Sequence, residues 1–246
     1  MHRFFVKNRD IEKDNITVYG EDVQHISKVL RLQVGDKIVL CDGEGSDYLA
    51  AIESMDKTSV RTVILDKEAS KGEPDVEVVL YQGIPKSTKM DLIIQKCTEM
   101  GIIRVVPVST VRTIVKLESE KDEKKKVERW TKIAEEAAKQ SGRGIIPTIE
   151  MPMTFPEALK DAARLDAVIV PYELEGSLSI KEALRKDKGS SIGFFIGPEG
   201  GFDSSEIEKA KAAGAVPVTL GSRILRTETA GVAVLTSIMY EYDQMK

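Results

Sequence analysis

The chain has 246 residues, 41% of them hydrophobic, enough to bury a core in one large domain or two smaller ones without covalent staples. Its net charge is −4, with −3 falling in residues 1–70 and −1 in the rest, so bulk charge does not announce a nucleic-acid binder and any phosphate-binding surface has to come from local clustering. The two cysteines, Cys41 and Cys97, are far apart and have no ligand-like spacing, which argues against a disulfide framework and a metal site and fits a reducing cytoplasmic setting. The opening "MHRFFVKNRDIEKDN" turns polar before an apolar run develops, and nothing later approaches the ~20 apolar residues of a membrane span, so a soluble protein is expected.

Residues 1–70 read as short strands, "RFFV", "NITVYG", "DKIVLCDG", "DYLAAIES" and "TSVRTVIL", with Gly43 and Gly45 in turns and one helix near 21–30. That pattern predicts a small β-barrel or sandwich. The charged segment "DKEASKGEPD" at 66–75 carries Gly72 and Pro74, has no apolar period, and is the expected boundary.

From Val76 the texture changes. The strand "VEVVLYQ" is followed by a helix in which Met90, Ile93, Ile94, Cys97 and Met100 recur at helical spacing, with Gly101 as its stop. Next come the strand "IIRVVPV", the helix "EKDEKKKVERWTKIAEEAAKQSG", a helix around "TFPEALKDAARL", the strand "DAVIVPY", the helix "SIKEALRK" and the strand "SIGFFIG". "DSSEIEKAKAAG" opens with Asp203 three residues before Glu206, a capping-box start, and closes at Gly214; "AVPVTLG" is the last strand. Strands alternating with helices predict a parallel sheet covered on both faces. The run "ESEKDEKKKVER" mixes acids with bases at helical spacing and reads as a solvated helix face. The final helix, "ETAGVAVLTSIMYEYDQ", is apolar on more than one side, which calls either for a second subunit or for a central position within one domain.

The chemistry concentrates in two late turns, "FIGPEGGF" at 195–202 and "GSRILRTETA" at 221–230. "GPEGG" lacks the Lys-Ser/Thr ending of a P-loop, and no G-x-G-x-x-G follows the first strand, so the usual nucleotide loops are not present. Gly197, Gly200, Gly201 and Gly221 instead offer bare backbone just past two strand ends, where a parallel sheet opens its ligand crevice.

These two turns, with "KMDLIIQKCTEMG" and "AAKQSGR" upstream and "HISKVLRLQVGD" near the start, resemble the ribosomal RNA small subunit methyltransferase E family of the SPOUT superfamily. The resemblance implies an α/β fold: a PUA-like β-barrel RNA-binding domain at 1–70 and, at 73–246, a SPOUT-type parallel sheet with a C-terminal trefoil knot. It implies an S-adenosylmethionine-dependent enzyme that methylates uracil N3 in the decoding region near the 3′ end of 16S rRNA, acting as a homodimer on the small ribosomal subunit. By motif, Pro171, Ile196, Gly197, Gly200, Gly201, Leu220, Gly221, Ile224 and Leu225 are expected to line the cofactor site. Two departures from the family pattern stand at Val111, before Arg112, and at Lys139, before Gln140 and Ser141.

The uracil N3 proton must leave before or during attack on the methyl group, so the reaction needs a proton acceptor and a cation near the developing anion. Arg226 is the expected cation unless it pairs with Glu199 or Glu228; those two carboxylates are the candidate bases, alongside water. Thr227 and Thr229 are expected to cap the last helix. For RNA, the candidate cations are Arg3, Arg9, His25, Lys28 and Arg31 in the small domain and Lys86, Lys89, Arg112 and Arg143 in the large one. Two other readings stay open: a non-catalytic ribosome-assembly factor, and a SPOUT methyltransferase acting on tRNA or on a 2′-hydroxyl.

Overall fold

Residues 1–115, 119–186 and 189–245 are described by a computed structural model, and they fall into two units: Met1–Glu73 with Ala138–Ile146, and Pro74–Ala137 with Pro147–Lys246. Glu118, which begins the charge run, lies outside the described residues.

In the first unit, β1 (Arg3–Phe5), β2 (Asn15–Tyr19), β3 (Lys37–Cys41), β4 (Ser46–Met55) and β5 (Ser59–Ala69) form a five-stranded sheet in the order β1-β3-β4-β5-β2. Only β1 and β3 pair in parallel. Alternating residues such as Ile16 and Val18, Ile38 and Leu40, and Ala50 and Ile52 turn to one side and bury a core with Phe4 and Ile26. Bulges in the β4–β5 ladder bend the long pair over that core. Helix α1 (Glu21–Gln24) runs on into a π-turn at His25–Val29.

Strand β5 continues through Ala69, four residues into the segment expected to be a linker. Its register, Asp66↔Leu49 to Ala69↔Ser46, needs only main-chain groups, so a strand persists there without apolar periodicity. Residues 138–146 are a second difference. Arg143 is 2% exposed and bonds Glu73 at 2.6 Å, while the same carboxylate accepts the Gly144 and Ile145 amides at 2.9 and 3.0 Å. Arg143 therefore belongs to the first unit and not, as its sequence position suggests, to the larger one.

The second unit contains β6 (Glu77–Gly83), α2 (Lys89–Glu99), β7 (Arg104–Ser109), α3 (Glu120–Ser141, counted with the first unit from Ala138), β8 (Thr148–Ile149), β9 (Met153–Thr154), α4 (Phe155–Ala162), β10 (Ala167–Pro171), α5 (Ile180–Lys186), β11 (Ser191–Ile196), α6 (Ser204–Ala212), β12 (Val216–Val218) and α7 (Thr227–Glu241). Its seven strands all pair in parallel, in the order β12-β10-β11-β6-β7-β8, with β9 also on β7. Successive residues of β6 enter opposite cores: Val78 and Leu80 join the side of α2, α3, α5 and α7, Val79 and Tyr81 that of α4 and α6. This strict alternation makes the sheet a divider between two apolar layers.

The capping box at Asp203 and Glu206 is present, and a second one, Thr154 with Glu157, starts α4. Helix α7 packs on α2, α5, β6 and β11. Its neighbours inside the unit cover Val234, Leu235, Ile238 and Met239, which share one stripe with Thr227 and Gly231, while Ala230, Val232 and Ala233 stay partly exposed, so one side of the apolar helix is buried within the unit and the other is not fully covered. No described helix is long and apolar enough to cross a membrane.

Candidate functional site

The carboxyl ends of β10, β11 and β12, three neighbouring strands, open on one side into a cleft of about 530 Å³. Pro171, Tyr172 and Glu173 continue β10, Ile196 to Phe202 continue β11, and Thr219 to Thr227 lead from β12 into α7. All nine residues expected at a cofactor site, Pro171, Ile196, Gly197, Gly200, Gly201, Leu220, Gly221, Ile224 and Leu225, line this one cleft.

Its turns are shaped by close main-chain approach. The Gly201 amide bonds the Pro198 carbonyl at 2.9 Å, and a Cβ on Gly197 would lie 3.0 Å from the Gly201 main chain. Behind them, Gly83 ends β6 against Pro198; a Cβ there would come within 2.7 Å of the Pro198 nitrogen. Only glycine at both positions lets the β11 turn fold flat on its neighbours.

A buried polar chain ties this turn to the last helix. Gln82 Nε2 donates to Thr227 Oγ1 at 2.9 Å, and that hydroxyl donates to the Gly197 carbonyl at 2.7 Å. Thr227 is thus a strut between β6, the turn and α7, not a helix cap; the N-cap is Arg226, with no side-chain bond. The sequence carried a signal for this chain: Gln82 is a lone amide in an apolar strand, and it is fully buried.

Charges at the cleft are arranged around Lys89. Its ammonium lies 2.9 Å from Glu199 and 3.6 Å from Glu228. Burial works to raise the Glu199 carboxyl, but the bonds from Lys89 and the Lys86 amide outweigh it and hold the group below its ordinary range. Glu228 does not line the cleft, and its Oε2 is buried without a hydrogen-bond donor. Both carboxylates are thus drawn to Lys89, and Arg226, exposed on the cleft wall, has no side-chain ion pair among the described residues. The pairing of Arg226 with Glu199 or Glu228 that the sequence left open is not formed.

The cations expected on an RNA surface divide into two groups. Arg9, Lys28, Arg31 and Lys86 are exposed, and so is His25, which sets its ring edge-on to Phe4. Four others are engaged within the protein. Arg3 forks onto Asp47 at 2.7 and 2.9 Å, Arg143 is buried on Glu73, Lys89 holds the two carboxylates, and Arg112 donates to the Gly200 carbonyl at 2.8 Å and lies 3.3 Å from Asp203. Of the two departures, Val111 uses its amide, bonded to Glu206 at 2.9 Å, while Lys139 lies 3.6 Å from Asp22. Tyr172, Glu173 and Arg223 also line the cleft but were not expected there; Tyr172 and Arg223 directly flank Pro171 and Ile224, Glu173 follows Tyr172, and this proximity was their one signal.

The RNA methyltransferase domain family matches residues 72–239, and the RNA methyltransferase PUA domain family matches 18–65. The ribosomal RNA small subunit methyltransferase E of Bacillus subtilis is 35% identical over 254 aligned residues, covering 100% of this chain and 99% of the relative; that of Synechocystis is 30% identical, covering 96% and 77%. The crystal structure of the Neisseria gonorrhoeae ribosomal RNA small subunit methyltransferase E bound to S-adenosyl methionine superposes with a TM-score of 0.86, at 29% identity over 98% of this chain and 97% of that one. With similarity running through both units at that level, the chain belongs to the ribosomal RNA small subunit methyltransferase E family.

Proposed function

We propose that the protein uses S-adenosylmethionine to methylate N3 of one uridine near the 3′ end of 16S rRNA, within the assembled small subunit. In this reading residues 1–70 are the PUA-like RNA-binding domain and 73–246 the knotted SPOUT methyltransferase domain, working as a homodimer. The observation that carries it is the cleft itself. Its volume of about 530 Å³ suits a small ligand, bare main chain at Gly197, Gly200, Gly201 and Gly221 admits a flat ring, and Ile196, Leu220, Leu225 and Ala230 supply apolar walls beside the unpaired Arg226. The gonococcal relative, solved with the same donor, supports the assignment.

S-adenosylmethionine supplies an electrophilic methyl on a sulfonium centre. The two glycine turns would hold the donor, with Pro171, Ile196 and Leu220 among the walls of its cleft, and transfer of the methyl to N3 would leave the neutral thioether, S-adenosylhomocysteine, there. Arg226 directs its guanidinium at the uracil carbonyls and stabilises the negative charge that grows as the N3 proton departs. Glu199 is a weak acceptor for that proton, because the bonds from Lys89 and the Lys86 amide stabilise its charged form and lower its basicity. Glu228 is turned to the same ammonium and stands off the cleft wall. The proton therefore passes to water at the open mouth, with Arg226 making N3 acidic enough to release it. N3 lies on the Watson–Crick edge, so the uridine reacts unpaired or extruded, while Arg9, His25, Lys28, Arg31 and Lys86 grip the surrounding RNA.

The Arg226→Ala variant tests this division of labour. Calorimetry should find donor binding preserved, while methyl transfer falls roughly 10²-fold or more. Equal loss of both would refute the role of Arg226, and a wild-type protein that binds no S-adenosylmethionine would refute the donor site.

A further inference from the structure

We infer that Arg112 is a positioning residue that braces the "GPEGG" turn, and is not an RNA contact; the inference rests on the cleft being the donor site. Three observations converge on it. The turn that carries Arg112 is fixed before the side chain starts: the Thr113 amide bonds the Thr110 carbonyl at 3.0 Å, the Thr110 amide bonds Thr113 Oγ1 at 2.9 Å, and the Val111 amide bonds Glu206, itself 2% exposed on α6.

From that anchor the guanidinium spans the loop. Nη1 donates to the Gly200 carbonyl at 2.8 Å and Nη2 reaches Asp203 at 3.3 Å, so one side chain clips both ends of the stretch from Gly200 to Asp203. The same stretch supplies Gly200 and Gly201 to the cleft wall and the N-cap to α6.

The third observation is steric. A Cβ on Gly200 would lie 3.2 Å from the Arg112 Cβ and 3.4 Å from its Cδ, so the aliphatic stem lies flat over a bare main chain. Gly200 is needed for the brace as well as for the ligand. A phosphate could take Arg112 only by releasing the Gly200 carbonyl, which would loosen the turn the donor requires. The planar two-pronged guanidinium fits this pair of acceptors, and a lysine ammonium, with a single point of charge, cannot span them. That difference separates the two roles, because a phosphate contact tolerates lysine.

The test compares Arg112→Ala and Arg112→Lys with wild type in three measurements: calorimetric affinity for S-adenosylmethionine, amide hydrogen exchange across residues 197–203 in the ligand-free protein, and affinity for small ribosomal subunits. Both variants should lose donor affinity by roughly tenfold. Both should also exchange faster at Gly200 to Asp203 with an unchanged melting temperature, and keep wild-type affinity for the subunit. Unchanged exchange in both variants, or wild-type donor affinity in Arg112→Lys, would overturn the brace, as would a loss confined to subunit binding that lysine rescues. If the wild-type protein bound no donor, the reading of the cleft would fall, while the exchange measurement would still decide whether Arg112 holds the turn.

Discussion

Thr227 shows how much of this site depends on single hydroxyls and carbonyls. Its Oγ1 accepts from Gln82, which is fully buried, and donates to the carbonyl of Gly197, which lines the cleft. Replacing it with valine keeps the shape and leaves the Gln82 amide and the Gly197 carbonyl short of a partner. The expected cost is about 1–3 kcal/mol in urea denaturation, because an unsatisfied buried polar group loses its solvation without return. A change near zero would mean that water replaces the hydroxyl. The cysteines give a second residue-scale expectation. Burial pushes the thiols of Cys41 and Cys97 up to about 12, and in Cys41 the neighbouring Arg3 only partly offsets this. Thiolate is the reactive form, so neither should react with iodoacetamide at pH 8 in the folded protein, and both should react once it is unfolded. Rapid labelling of the native chain would contradict the buried setting of both.

At the scale of elements, β6 and the turn after β11 meet where Gly83 faces Pro198. Gly83→Ala has to push Pro198 outward, and with it the main chain of Gly197 and Glu199, so donor affinity should fall roughly tenfold or more by calorimetry. Unaltered affinity would show that the turn can shift without harm. The elements themselves were largely legible: the apolar alternation of "VEVVLYQ" and "SIGFFIG", the Asp203/Glu206 cap and the helical spacing from Met90 to Cys97 all report on local geometry, which local residues decide. What could not be read is where long-range partners compete for the same group. Arg112 and Lys89 look like any exposed cation in the sequence, and only the fold brings the segment after β7 and the start of α2 to Gly200 and Glu199 in the turn after β11. Thr227 was misread for the same reason, since its position favours a cap until Gln82 and Gly197 arrive from elsewhere. Strands β8 and β9 were missed because two-residue strands carry no period. The apolar circumference of α7 leaves two explanations open, because α2 and α5 cover one stripe of it while Ala230, Val232 and Ala233 stay partly exposed.

For the whole molecule, several carboxylates are held low by cations or donors that outweigh the cost of burial: Asp47 by Arg3 and Ser70, Asp161 by Arg104 and Tyr81, and Glu199 by Lys89. A group whose folded value lies below its unfolded one adds stability that is complete above the unfolded value and fades as pH falls through the folded one. Unfolded carboxyls titrate near ~4, so the melting temperature should be flat from neutral pH down to about 5 and fall steeply below about 4. A decline that begins near pH 6 would assign acid sensitivity to other groups. Net charge carried little of the functional signal. Four of the nine candidate cations are tied to Asp47, Glu73, Glu199 or the Gly200 carbonyl, and of the five exposed ones Arg9 lies 3.7 Å from Asp10. The most direct measurement of the central claim is to incubate the protein with methyl-labelled S-adenosylmethionine and small ribosomal subunits lacking the modification, then locate the label by nucleoside analysis and mapping. A single methyl on uracil N3 near the 3′ end of 16S rRNA is expected; no transfer, or a label on a ribose hydroxyl or another RNA, would contradict the proposed function.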